Sequence, residues 1–387
     1  MKCALIVFRK EMKDALRDRR TLLVVLISGV LLGPLVLVLL SNVLAQFEAH
    51  RSTREVYAVG MEHAPTLRNY IERQTYAIRP APANYEESLR NSKFGHPVIR
   101  VPEAFEEALA HGEHPTIEVV SDASNKLALT GRGPVVELLQ GFAREHATLA
   151  LALRGVSPEV IDPIGVEELD LASEQTRASE ATGMLPFFVI MAVLYGAMSG
   201  ALDTTAGERE RGSLEPLLMN PVEYSWLVLG KWAAVAGVSM LIAVLSCLSF
   251  LPAQLFLRSD TLQAIFRYGP HEALLFIVTL LPLAAALSAS LMAVAIRCKT
   301  VKEAQASVTV VILAVSLLPL VTMLDQTGEA PWHLWVPVLA QHTLMTRVLR
   351  GEAFGPLQLA VPLLVCSALT VLGIGFVSRW LRRAAVQ

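Results

Sequence analysis

Six runs of about twenty apolar residues, the length a helix needs to cross a hydrocarbon core roughly 30 Å thick, recur along the chain. They lie near Thr21–Ser41, Gly183–Leu202, Trp232–Leu257, Ala273–Ile296, Ala304–Leu324 and Phe354–Val377. Asp, Glu, Lys and Arg occur only at their edges. The pattern predicts six transmembrane helices.

Residues 42–182 read differently. Val56–Gly60, Val98–Val101 and Thr116–Val120 are rich in β-branched residues and bounded by Gly, Pro or Asp, which predicts short strands. Between and after them, Pro102–Leu109 places Phe105 and Leu109 on one helical face behind a carboxylate-rich first turn. Pro134–Arg154 carries Val135, Leu138, Leu139, Phe142, Leu149 and Leu153 at near-helical spacing, with Gly155 to end it. A mixed α/β domain between the first two membrane helices is expected. Residues 1–20 show a third pattern: Leu5, Phe8, Met12 and Leu16 recur every three or four positions among Lys and Arg, as in a helix lying at an anionic lipid surface. A simple basic topology anchor is the alternative.

The distribution of charge orients these pieces. Lys and Arg crowd residues 2–20 and the segments after the second, fourth and sixth runs, whereas the short loops on the opposite side hold only Arg258, Arg267, Arg347 and Arg350. The positive-inside bias places both termini in the cytoplasm and makes the α/β domain extracytoplasmic. The expected layout is an interfacial helix over 1–20, a span over 21–41, the domain over 42–182, a span over 183–202, a cytoplasmic segment over 203–231, four spans within 232–378 and a cytoplasmic tail over 379–387. Composition agrees, because 53% of residues are hydrophobic and 18% charged, a balance few water-soluble domains of this size carry.

Enzyme signatures are missing. The sequence has no phosphate-binding loop, no His-Glu-x-x-His and no Cys-x-x-Cys. Its four cysteines lie in or beside the membrane runs and suggest no disulfide framework, and the net charge of −2 gives no reason to expect nucleic acid. The chain itself is expected to bind no cofactor or metal. Carboxylates absent from the spans argue against an ion-coupled carrier. The histidines are scattered and expected at solvated surfaces.

The densest punctuation is Asp203–Val222. Gly207 and Gly212 permit turns, Ser213 can cap a short helix holding Leu214, Leu217 and Leu218, and Pro221 stops it beside exposed Glu208, Glu210 and Glu215. That suits either a solvated loop that only fixes topology or a piece that docks a protein.

Glu208-Arg-Glu-Arg-Gly-Ser-Leu-Glu215, with Asn220-Pro-Val222 and Gly230-Lys231 after it, resembles the cytoplasmic signature of ABC type-2 permeases: Glu-x-Glu-x-Gly-Thr-hydrophobic-Glu, then Ser/Thr-Pro and Gly-Lys. Ser213 replaces the usual Thr, and Asn220 the usual Ser or Thr. The opening is similar to the same family's amphipathic helix, through Lys10, Glu11, Arg17, Asp18 and Arg20. The order and size of the parts resemble its NatB branch, named for sodium extrusion. The resemblance implies a permease subunit in a bacterial inner membrane, paired with a second copy and coupled to an ABC ATP-binding subunit that carries ATP and magnesium. It implies that Glu208, Glu210, Gly212, Ser213, Glu215 and Pro221 set the coupling element, and that export, with sodium as one cargo, is the function. The reading from another class is a membrane-anchored binding or relay protein without transport.

Overall fold

The computed structural model describes residues 2–52, 54–160, 182–214, 216, 219, 222–266, 268–324, 330–353 and 355–384. The chain divides into two units, one of residues 42–170 and the other of 1–41 with 171–387. Six helices are long and apolar enough to cross a membrane, as the hydrophobic runs predict.

The first of these begins at Arg19 and continues through Leu26, a five-residue π-helical stretch Ile27–Leu31 and Leu32–Ser52. It therefore runs past the expected end at Ser41, because Asn42–Phe47 continue the helical pattern in mostly apolar residues. The second comprises Leu185–Leu202, a second π-helical stretch Asp203–Gly207 and a last turn Glu208–Glu210. The third covers Tyr224–Ala253, the fourth Pro270–Ala295, the fifth Val301–Leu324 and the sixth Pro356–Ala384. The prolines at 252, 282, 319 and 362 lie inside helices that continue through them.

The third span is the hub. Its Ser239 donates to Val193 O of the second span (2.7 Å), its Ser249 to Val30 O of the first (2.9 Å), and its Trp232 indole to Ala285 O of the fourth (3.0 Å). Polar side chains used in this way fasten apolar helices to one another, which is the packing role open to membrane hydroxyls. Ser41 of the first span accepts the backbone N–H groups of Arg258 and Ser259, fixing the turn after the third. Between the fifth and sixth spans, Pro331–Trp335 and Leu339–Leu349 form two short helices. His333 and His342 are buried there, against the expectation that every histidine is solvated. Burial pushes the His342 imidazole down to about 4, so it is neutral at physiological pH.

The 42–170 unit is a mixed α/β layer. Its strands are β1 Glu55–Val59, β2 Ala77–Pro80, β3 Val98–Arg100 and β4 Glu118–Val120, in the order β2-β1-β3-β4. β2 and β3 flank β1 in parallel, and β4 runs antiparallel to β3. One face buries Val56, Ile99, Leu67, Ile71, Phe105 and Phe142 in a core. The other packs Val98 against Tyr85, Leu89 and Ala128. The helix expected from Pro134 starts earlier and spans Lys126–Leu153, because Asn125 caps it: its side-chain oxygen accepts Ala128 N–H while its amide donates to Leu89 O and Phe94 O. Arg100 joins β3 to β4 through Glu118 and also bonds Tyr85 and Glu86.

Candidate functional site

The N-terminal helix Lys2–Arg17 does not lie free on a lipid surface. It packs along the third span through Val7, Phe8 and Met12, and two glycines allow the approach. A Cβ on Gly230 would meet Val7 Cβ and Ala4 O at 2.7 Å, and one on Gly237 would meet Met12 at 2.9 Å. The predicted apolar face is therefore split. Phe8 and Met12 turn inward, while Leu5 and Leu16 remain exposed.

On the inward stripe sits Glu11, 6% exposed. Its carboxylate lies 3.3 Å from Lys231 Nζ and 3.1 Å from Lys10 Nζ. Lys231, 2% exposed in the second turn of the third span, also reaches Glu208 Oε2 at 2.6 Å and Thr204 O at 3.1 Å. The Glu208 contact is an ion pair by distance, though its angles are not those of a hydrogen bond. Three oxygens thus surround an ammonium that has three N–H bonds. Lys10 closes the ring at 3.5 Å from Glu208 Oε1. Two lysines and two glutamates balance to zero, the condition under which ionised groups tolerate burial.

Burial alone would raise the Glu11 carboxyl, but Lys231 and Lys10 overcome it and hold the group below its ordinary value of 4.5. For Lys10 partial burial works the other way, and Glu11, Glu208 and Asp14 outweigh it to raise the ammonium above 10.5. Both groups are charged across the physiological range.

The sequence expectation of an exposed Glu208 is corrected: its carboxylate is 5% exposed and belongs to this ring. Its neighbours extend the junction. Arg209 donates to Cys298 O just after the fourth span, and its guanidinium lies 4.8 Å over the Trp380 ring of the sixth. Glu210, exposed as expected, accepts the Val301 N–H at 2.6 Å and so caps the fifth span. Three consecutive residues at the end of the second span therefore tie down the same ends of the third to sixth spans and the helix preceding the first.

Gly212 adopts φ +66°, the left-handed conformation that favours glycine, and lets the backbone reverse after Glu210. Ser213 then bonds back to Glu208 O through both its N–H (3.0 Å) and its hydroxyl (3.2 Å), so its side chain closes the preceding turn rather than starting the next. Glu215 and Pro221 lie outside the described residues, as does the side chain of Arg20. Arg17 and Asp18, at the end of the N-terminal helix, are exposed. Asp203, half exposed, pairs with Arg211 at 2.8 Å.

Sequence reasoning placed Lys231 and Arg209 in the family signature but gave them no site role, and it did not single out Thr204. For Lys231 the signal was present: Trp226-Leu-Val-Leu229 extends the apolar helix upstream of it, and a lysine inside such a helix requires a partner. Arg209 had no such signal, because Trp380 and Cys298 are distant in sequence. Among the described residues no group of His, Cys, Asp and Glu is arranged to hold a metal ion.

Three comparisons bear on this geometry. The family model described as ABC-2 family transporter protein matches residues 5–382. The chain is 26% identical over 361 residues to the ABC transporter permease protein NatB of Bacillus subtilis (strain 168), an alignment covering 89% of each protein. No solved structure shows a significant match.

Proposed function

Because this chain belongs to the ABC-2 transporter family, and is thereby an ABC transporter membrane subunit, we propose that it serves an ATP-driven exporter whose ATPase is a separate polypeptide carrying ATP and magnesium. The supporting observation is the Glu208-Arg209-Glu210 junction. A force applied to the segment that follows it, 211–223, reaches four spans and the N-terminal helix through short polar contacts. Interfaces of this kind have discrete arrangements and transmit displacement rather than absorb it.

In this reading Gly212 and Ser213 shape a turn that presents the segment holding Glu215 and Pro221 to the ATPase. Glu208 and Glu210 carry its movement inward rather than contact the ATPase themselves. The bias of Lys and Arg supports a cytoplasmic position for this end and for both termini, with the 42–170 unit on the far side. Exposed Leu5, Ile6 and Leu16 on the N-terminal helix suit contact with the inner leaflet. Two copies of the subunit assemble with two ATPases. Sodium is the cargo to test first, on the resemblance to the NatB branch.

The direct test is affinity purification of the full chain from native membranes in mild detergent, with mass spectrometry of what remains bound. A phosphate-loop ATPase in equal amount is expected, and ATP-driven sodium flux in inverted vesicles then tests the cargo. A complex free of ATPase would overturn the reading in favour of a binding or relay protein built on the 42–170 unit.

A further inference from the structure

Beside the junction, the third and sixth spans leave a groove of about 460 Å³ between them. Its walls are apolar where Leu229 faces Val371 and Ile374, and they end at Ser378, Arg379 and Arg382 in the last turns of the sixth span. Both arginines are exposed, and among the described residues neither forms an ion pair or hydrogen bond. Ser378 is 9% exposed and its hydroxyl has no partner among the described residues, although helical serines commonly bond to a carbonyl one turn back. Ser225, also in the wall, is already engaged with Glu223 at 3.4 Å.

The groove is therefore amphiphilic in a fixed order: an apolar trough between two membrane-crossing helices, then two guanidiniums, without a counter-charge among the described residues, where the sixth span leaves the apolar zone. Guanidinium geometry matches phosphate oxygens. Basic pockets between membrane helices hold anionic headgroups, while the acyl chain fills the apolar part.

We propose that this groove binds an anionic phospholipid, its phosphate on Arg379 and Arg382 and an acyl chain along Leu229, Val371 and Ile374. The assignment depends on the chain spanning a membrane and not on any ATPase or cargo, so it can fail or hold independently of the exporter reading.

The test is native mass spectrometry of the detergent-purified full chain titrated with phosphatidylglycerol or phosphatidylcholine. One phosphatidylglycerol should be retained in preference to phosphatidylcholine. Arg379→Gln with Arg382→Gln should weaken that retention roughly thirty-fold, at about a factor of five per charge near the headgroups. Val371→Trp fills the trough at a residue already 70% exposed, where folding is insensitive to size. It should also displace the lipid while both arginines remain. Equal retention of the two lipids, or a double variant that binds as wild type, would overturn the proposal. So would displacement of the lipid by millimolar inorganic phosphate combined with indifference to Val371→Trp, which would mark a site for a free anion. A disulfide forming between two copies through Ser225→Cys, with no lipid retained, would assign the groove to a second subunit instead.

Discussion

Two pairs of cations meet beside the first turns of the third span, one pair shared with the N-terminal helix and the other on the sixth span, and the chain treats them oppositely. In the first pair, Lys231 and Lys10 meet Glu11 and Glu208 in a closed, neutral ring. In the second, Arg379 and Arg382 border a groove containing Leu229 and have no partner among the described residues. Where the protein supplies its own counter-charges, the helices approach to van der Waals contact and the site becomes structural. Where it withholds them, the vacancy suits a molecule from outside.

The contrast can be broken most sharply at Lys231. Lys231→Met leaves Glu11 and Glu208 buried around a missing cation and should cost about 3–5 kcal/mol, read as a lower melting temperature of the solubilised protein. A loss below about 0.5 kcal/mol, the usual surface effect, would show that the ring is not a structural unit. Adding Glu208→Leu to that variant restores neutrality, with Lys10 and Glu11 still paired. Most of the stability should return, since buried ion pairs are often replaceable by apolar ones. ATP-driven export should stay lost if the junction transmits motion, and recovery of export would remove Glu208 from the proposed path.

Titration sharpens the comparison further. Glu11 has a folded value below 4.5, so its contribution is complete above that pH and disappears as pH falls through the lower folded value. Lys10 is raised above 10.5, so its contribution is complete below that pH and disappears as pH rises beyond it. Melting temperature should be flat between these limits as far as this ring governs it. With Glu11→Gln the acid-side fall should become shallower, and an unchanged profile would place the sensitive group elsewhere.

Smaller effects come from groups nearer water. Glu210→Ala removes the cap on the Val301 N–H and should cost about 1 kcal/mol, as lost caps do. Hydrogen exchange should register it first at the start of the fifth span. Smallest of all, Arg379→Gln with Arg382→Gln should shift stability by no more than about 0.5 kcal/mol in lipid-free detergent, although the same variant should weaken lipid retention roughly thirty-fold. A large shift there would mean that the groove is held by the arginines and not merely lined by them.

The spans were legible because twenty-residue apolar runs have few alternative explanations. Their ends were not. Starting the third span at Trp232 kept Lys231 outside the membrane segment, whereas the helix begins at Tyr224 and brings that lysine into a buried ring. Glu208 read as a solvated charge for the same reason: its partners lie far away in sequence, and only packing reveals a carboxylate facing two lysines. In the 42–170 unit β1, β3 and β4 were visible, but Ala77-Ile-Arg-Pro80 was not. It forms an edge strand with only Ile78 partly covered, so no alternation marks it. Phe8 and Met12 were correctly placed on one face, but the sequence pattern could not distinguish lipid from the glycine stripe of the third span.

The π-helical stretch Asp203–Gly207 also sets a phase. Each residue of an α-helix advances the azimuth by roughly 100°, and a π turn accommodates one residue more than an α turn, so everything beyond it is offset from the regular helix. Glu208 faces Lys231, and Thr204 O reaches the same ammonium, in that offset register. Deleting Ala206 would return the helix to ordinary phase and swing the Glu208-Arg209-Glu210 trio around the axis, away from three anchors at once. The second span is thus a shaft whose end is keyed, and the key is a single surplus residue.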